Sequence, residues 1–264
     1  MIVAVIQARM SSTRLPGKIM LPVCGKPLLE HFIDRIKYSK TINKIIIATS
    51  IKKEDNVIVD FCNKKNIMCI RGSENDLLSR YKMAADETQA DIIVRLTSDT
   101  PLLEYNVIDE VVNTYIQNEY DFVSNCYPLP RTYPDGTNVE VFSIGILNEM
   151  YLHAKKPSER EHVTFYVLMQ PEKFKIFRVD NTRDISNYRF NLDYELDYEL
   201  IREIFNNLYK DGEVFLLEEI IEFLEKNPNI LKINSQIDPY KGILESFDED
   251  IKKGFKKSDN FFMK

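Results

Sequence analysis

A chain of 264 residues with 44% hydrophobic content can bury one large core, and its formal net charge of −6 argues against nonspecific nucleic-acid binding, which calls for a broad basic surface. Cys24, Cys62, Cys69 and Cys126 show no C-x-x-C spacing, and the chain has neither a signal-peptide pattern nor an apolar run long enough to span a bilayer. The cysteine spacing gives no zinc pattern, so the four read as small core or surface residues rather than metal ligands, and the expectation is a cytoplasmic protein with no membrane and no nucleic acid among its partners.

The first predicted element is a buried strand at residues 3–6. Directly after it comes Ala8-Arg9-Met10-Ser11-Ser12-Thr13-Arg14-Leu15-Pro16-Gly17-Lys18, in which Arg9, Arg14 and Lys18 bring cations and Ser11, Ser12 and Thr13 bring hydroxyls. Guanidinium forks and a compact ammonium are the donors that hold a polyphosphate. Gly17 lets the backbone turn close to such a ligand, and Pro16 fixes the approach. Neither familiar phosphate loop fits. A Walker A loop needs glycine where Ser12 stands and Ser or Thr where Ile19 stands, and no G-x-G-x-x-G follows the first strand. The segment reads as a candidate polyphosphate cradle, with a solvated basic loop as the alternative.

Further β-rich apolar runs at residues 45–48, 67–70 and 92–96 alternate with helix-like segments around 28–38, 55–64 and 76–88. Such alternation predicts an α/β protein with a mostly parallel sheet covered by helices on both faces. Ligands of these sheets gather at the carboxyl ends of the strands. Beyond Leu96 the pattern loosens into a Pro-rich loop at 127–134, strand candidates at 138–142 and 174–179, and a short strand that ends near Asn191 and opens a helix through Phe205. One domain over 1–235 is expected, followed by a polar tail over 236–264 that is either poorly ordered or packed on a partner subunit.

The segment from Val3 to Pro27, closing on Gly25-Lys26-Pro27, resembles the opening of sugar nucleotidyltransferases of the CMP-KDO synthetase and acylneuraminate cytidylyltransferase group, and most of all SpsF-like spore-coat polysaccharide proteins. The likeness continues through Ile70-Arg71-Gly72-Ser73, Arg95-Leu96-Thr97-Ser98-Asp99-Thr100-Pro101, Asp135-Gly136-Thr137-Asn138-Val139-Glu140-Val141 and Glu159-Arg160-Glu161-His162-Val163. It implies a GT-A/Rossmann-like nucleotidyltransferase fold, CTP as donor, Mg²⁺ as cofactor and a homodimer.

Arg9, Arg14 and Lys18 are the candidates for acting on the phosphates, with Ala8, Ser11, Ser12, Thr13 and Gly17 lining the nucleotide. Asp99 lies just past the 92–96 strand, where it also suits a turn or a helix cap before Pro101. Asp193 follows the later short strand, and a carboxylate pair completed by phosphate oxygens and waters is a normal Mg²⁺ shell. The resemblance assigns Asp99 and Asp193 to the metal. Asp197 either assists them or stabilises the start of its own helix.

The resemblance also places Arg71, Gly72, Ser73 and Arg80 near the nucleotide, although Ser73 equally suits a helix cap. Cytosine preference rests on the resemblance alone. Arg131, Asp135, Asn138, Glu140, Arg160 and His162 are the acceptor candidates. Ser158 and Glu161 have the spacing of a capping box, Arg160 also suits a surface ion pair, and His162 is either a base or a satisfied core histidine. His31 and His153 read as structural.

The expected activity is transfer of CMP from CTP to a sugar acid, sugar phosphate or polyol for surface-glycan synthesis, with release of pyrophosphate. Little covalent protein chemistry is needed for such a step. Two rivals stay open: a GT-A glycosyltransferase, whose usual Asp-x-Asp pair is absent because Thr97 and Pro101 flank Asp99 at those offsets, and a noncatalytic nucleotide-binding protein. The 95–99 motif differs from that of the CMP-KDO synthetases themselves, so their sugar specificity is not carried over.

Overall fold

In the computed structural model, residues 1–238 and 240–255 are described. Strand β1 (Ile2–Gln7) opens the chain, and a short hairpin of β2 (Pro22–Val23) and β3 (Lys26–Pro27) leads into α1 (Leu28–Ile36). Then β4 (Lys44–Ser50), α2 (Asn56–Lys65), β5 (Met68–Gly72), α3 (Leu77–Thr88) and β6 (Ile92–Thr97) alternate as the hydrophobic pattern predicts. The second half adds α4 (Tyr105–Gln117), β7 (Phe122–Ser124), β8 (Glu140–Ser143), α5 (Ile144–His153), α6 (Pro157–Glu161), α7 (Phe165–Leu168) and β9 (Ile176–Arg178). Four helices close the described chain: α8 (Glu195–Leu208), α9 (Leu217–Lys226), α10 (Pro228–Leu231) and α11 (Lys241–Lys252).

The seven-stranded sheet runs β5-β4-β1-β6-β8-β7-β9. Strands β5, β4, β1 and β6 are mutually parallel, and β8 lies antiparallel between β6 and β7. Both faces are covered, which is why β1 is apolar at every central position. Its Ala4 and Ile6 enter a core shared with α1, α2, α4, α8 and α9, whereas Val3 and Val5 enter the opposite core with α3 and α5. Each fully buried Val, Leu or Ile of these cores contributes about 1.5–3 kcal/mol.

Strand order reverses between β1 and β6, so the loops that follow them diverge and leave a crevice at their carboxyl ends. The expected fold class is therefore the observed one. The short strand expected before Asn191 is a single bridge between Asp135 and Arg189. The segment expected as a polar tail carries α11, which packs against α6. Residues 256–264 of that segment lie outside the described residues.

Candidate active site

The basic loop after β1 is held at its base and closed on itself. Met10 N–H donates to Asp55 Oδ1 at 2.7 Å, and the buried Asp55 also accepts from the Ser50 N–H and hydroxyl. The N–H groups of Ser12 and Gly17 both donate to Met10 O, at 2.9 and 3.0 Å. Gly17 makes this closure with φ +69, and a Cβ there would meet Met10 Cε at 3.1 Å. Ser11 Oγ donates to Glu74 Oε1 at 2.8 Å, Ser12 Oγ accepts from Leu15 N–H at 3.3 Å, and Ala8 N–H reaches Ala48 O at 3.2 Å. Thr13 and Arg9 are exposed, and Arg9 forms no ion pair among the described residues.

The other two loop cations converge on the two predicted metal carboxylates. Lys18 Nζ lies 2.6 Å from Asp99 Oδ2 and 2.9 Å from Asp193 Oδ1, while Arg14 Nη2 donates to that same Asp193 oxygen at 2.9 Å. Burial works against the Lys18 ammonium, but Asp99 and Asp193 outweigh it and raise its pKa. Burial likewise opposes the Asp193 carboxylate, and Lys18, Arg14 and Arg189 together hold its pKa below the usual value. Arg14 also lies over the Tyr194 ring, 5.3 Å from its centroid.

What joins Asp99 to Asp193 is a run of backbone contacts between distant segments. Asp135 N–H donates to Tyr188 O at 3.1 Å, Phe190 N–H to Asp135 O at 2.6 Å, and Leu192 N–H to Asp99 O at 2.9 Å. Gly136 permits this approach, with φ +91 and no room for a Cβ against Asn191 and Phe190. Arg189 then threads the carboxylates: Nη1 to Asp135 Oδ2 at 2.6 Å, Nη2 to Asp193 Oδ2 at 3.1 Å and Nε to Asp197 Oδ1 at 3.1 Å. Arg131 completes the row, 3.0 Å from Asp135 Oδ1. Asp197 Oδ2 accepts from the N–H groups of Asp193 and Tyr194 at 3.0 Å each, so it caps α8.

The remaining candidates lie around this centre. Arg71 uses its donors on Ser50 O, Lys52 O and Asn56 Oδ1, at 2.9, 2.7 and 2.8 Å, bracing the loop after β4. Arg80 is buried with Nη1 on Ala48 O at 3.0 Å, and Gly72 makes room for it, since a Cβ there would meet Arg80 Cγ at 2.7 Å. Among the described residues, Arg80 Nε and Asn138 Oδ1 are buried polar atoms without a partner. Ser73 is exposed and caps nothing; the N-cap of α3 is Asp76, which accepts from Ser79 N–H at 3.0 Å.

Glu140 pairs with Arg95 across the β6–β8 register and accepts from Thr164 Oγ1 at 2.6 Å. Of its two readings, Arg160 forms the ion pair, with Asp76, tying α6 to the start of α3. The Ser158–Glu161 capping box does not form. Glu159 instead accepts from Lys155 and Lys156 N–H at 2.9 and 3.1 Å, because the Ser158 hydroxyl and N–H are taken by Asp250 of α11. His162 stacks on Phe165 and meets Ser246 Oγ at 2.8 Å, and burial, reinforced by Arg95 and Arg9, pushes its pKa down to about 3. Helix α11 also reaches the cradle, where a Cβ on Gly242 would stand 3.2 Å from Arg14 Nη1. His31 meets Val23 O at 2.8 Å in the core, and His153 faces Glu149 at the surface.

Sequence reasoning missed Arg189, Ser246 and Asp250. Arg189 sits between the aromatic residues Tyr188 and Phe190 in an otherwise strand-like run, the one local sign of a buried cation. No local pattern marked the other two.

A Rossmann-like sheet whose switch-point crevice sets a basic loop against a carboxylate pair is an arrangement suited to nucleotidyl transfer. A family profile described as cytidylyltransferase matches residues 3–237, and the chain belongs to that family. It is 28% identical over 237 residues to the spore coat polysaccharide biosynthesis protein SpsF of Bacillus subtilis, covering 86% of this chain and 95% of SpsF. The solved structure of a cytidylyltransferase from Leptospira borgpetersenii superposes with a TM-score of 0.83 at 36% identity, covering 88% of this chain and 96% of the other. CMP:2-keto-3-deoxy-manno-octonic acid synthetase complexed with CTP shares the fold, with a TM-score of 0.59 at 17% identity over 79% of this chain and 99% of that one. Helix α11 begins beyond the family-matched segment. Among the described residues, no helix is long and apolar enough to cross a membrane.

Proposed function

We propose that this protein transfers CMP from CTP to a sugar acid, sugar phosphate or related polyol for surface-glycan synthesis, using Mg²⁺ and releasing pyrophosphate. The observation that carries this reading is the convergence of Arg14 and Lys18 on Asp99 and Asp193 at the sheet's switch point. In the reaction an acceptor oxygen bonds to the α-phosphorus in line with the leaving group. The bond from that phosphorus to the α,β-bridging oxygen breaks, pyrophosphate departs, and the acceptor's proton passes to solvent.

Arg9, Arg14 and Lys18 hold and neutralise the β- and γ-phosphates, and the loop's hydroxyls and N–H groups fix their orientation. Among the described residues no group of three or more His, Cys, Asp or Glu side chains gathers around a metal position. Two carboxylates that converge on one cation nevertheless suit Mg²⁺, which keeps waters and takes phosphate oxygens beside one or two carboxylates. Asp99 and Asp193 would hold it, and when bound it would supply charge neutralisation at the phosphates. Buried Arg80, with its free Nε, and Gly72 and Ser73 wall the base. Arg131, Asp135 and Asn138 line the acceptor side, with Glu140, Arg160 and His162 supporting that wall.

A pyrophosphate-release screen of CTP, UTP, ATP and GTP against sugar acids, sugar phosphates and polyols tests the reading. CTP should give the highest kcat/KM, because a pocket built for one base leaves its polar groups unpaired with another. A purine triphosphate at the top of the ranking refutes cytidylyl transfer.

A further inference from the structure

The two carboxylates assigned to the metal already share a cation, and that cation belongs to the protein. Lys18 Nζ bridges Asp99 Oδ2 and Asp193 Oδ1 at 2.6 and 2.9 Å. The other Asp193 oxygen is engaged by Arg189 Nη2 at 3.1 Å, and Arg14 shares the first. Counted as a connected group, the cations Arg14, Lys18, Arg131 and Arg189 face the carboxylates Asp99, Asp135, Asp193 and Asp197, so the cluster is balanced as it stands. A dication added to a balanced, mostly buried cluster has no counter-charge. It must also compete for oxygens that one or two donors already occupy.

We propose that Lys18 is the resident counter-cation of the metal site, so that a divalent ion enters only with the triphosphate that draws the Lys18 ammonium away from Asp99 and Asp193. The inference rests on the cytidylyltransferase reading of these aspartates. Lys18 is built for the exchange. Its backbone is fixed in the short 3₁₀ turn after Gly17, with its N–H on Leu15 O at 3.3 Å, while its ammonium rides on a flexible four-carbon stem. Phosphate oxygens arriving over the cradle give the ammonium a new partner and give the incoming dication the anionic charge that the cluster lacks. Metal and triphosphate binding are then coupled, each raising the affinity for the other.

Mn²⁺ binding measured by electron paramagnetic resonance without nucleotide tests this directly. Wild type should bind Mn²⁺ weakly, Lys18→Met about tenfold or more tightly, and Lys18→Arg, which keeps the cation, like wild type. Adding Asp99→Asn to Lys18→Met should return binding to the wild-type level. Lysine-ammonium NMR on the wild type covers the case of a variant that does not fold: Mg²⁺ alone should leave the Lys18 resonance in place, and Mg²⁺ with CTP should shift it. Equal Mn²⁺ affinity in wild type and Lys18→Met, or a Lys18 shift with Mg²⁺ alone, overturns the counter-cation. Either result leaves cytidylyl transfer standing, since that is read separately by pyrophosphate release. Mn²⁺ binding to Lys18→Met that ignores Asp99→Asn removes the metal assignment, and the proposal with it.

Discussion

Replacing Gly136 by alanine should uncouple Asp193 from Asp99 without touching either. The backbone there has φ +91, and an added Cβ would lie 2.3 Å from both Asn191 N and Phe190 C, about 0.7 Å inside the 3.0 Å that real Cβ contacts respect. These neighbours are backbone and cannot rotate aside, so the 189–192 run must move as a body. The left-handed conformation costs about 1–3 kcal/mol for a side-chain-bearing residue. Loosening the bonds from Phe190 N–H to Asp135 O and Leu192 N–H to Asp99 O adds roughly 0.5–1.5 kcal/mol each. A total of about 2–6 kcal/mol lies within the stability of an ordinary domain, so folded protein should remain for assay.

Gly212 supplies the control. Its φ is +82, yet nothing lies within 4 Å of its would-be Cβ, so alanine there carries the conformational cost without the clash. Urea unfolding should show Gly136→Ala destabilised well beyond Gly212→Ala, and pyrophosphate release should fall at least about tenfold only in the former. Matching unfolding midpoints with matching turnover would show that the 135–136 contact does not position Asp193.

Arg14→Ala should weaken CTP binding by about 1.5–3 kcal/mol, with little change for CMP, because the partners proposed for Arg14 are the outer phosphates; calorimetric titrations with equal losses for both nucleotides would count against the cradle. His162 gives a pH signature. Its folded pKa is pushed down to about 3, so between that value and the unfolded value near 6.5 the unfolded chain binds the extra proton and stability falls as the pH is lowered. Wild type should lose about 2 kcal/mol from this group by about pH 5. The pKa of His31 is also lowered, chiefly by burial, so the readout is the difference between wild type and His162→Gln, and parallel stability profiles would refute the assignment.

The first half of the fold was legible because the parallel strands read as largely apolar runs, continuous in β1 and in the centre of β4 and broken only by Arg95 in β6 and by the end of edge strand β5. Strand β7 was not, since three residues carry no period, and α4 escaped because its apolar positions follow a Pro-containing turn that resembles loop. The antiparallel placement of β8 depends on Glu140 meeting Arg95, a pairing 45 residues apart that local spacing cannot reveal. Within the candidate site, the basic loop was legible as a motif and the two aspartates as carboxylates after strands, their metal role resting on the resemblance. Arg189 was not, because its meaning comes from Asp135, 54 residues away, and from Asp193 in the folded chain. Helix α11 was read as tail because its polar surface dominates, whereas its Ser246, Phe247 and Asp250 are buried against α6 and α7.

The charge balance at the crevice bears on how the site chooses its ligand. With a net charge of −6, the chain has no broad positive field to gather anions, so attraction must be local. Of the cradle's cations, Arg14 and Lys18 are committed to carboxylates, and the exposed Arg9 alone forms no ion pair among the described residues. On the proposed function, nucleotide binding would be an exchange of ion pairs, in which phosphate oxygens replace Asp99 and Asp193 around two cations. A monophosphate carries at most two negative charges, fewer than Arg14, Lys18 and Arg9 together require. A triphosphate accompanied by a dication compensates the cations and the released carboxylates together. Discrimination between donor and spent nucleotide would then follow from the carboxylate contacts themselves, since any ligand must outcompete the Arg14 and Lys18 ion pairs, only partly open to solvent, before it gains a contact of its own.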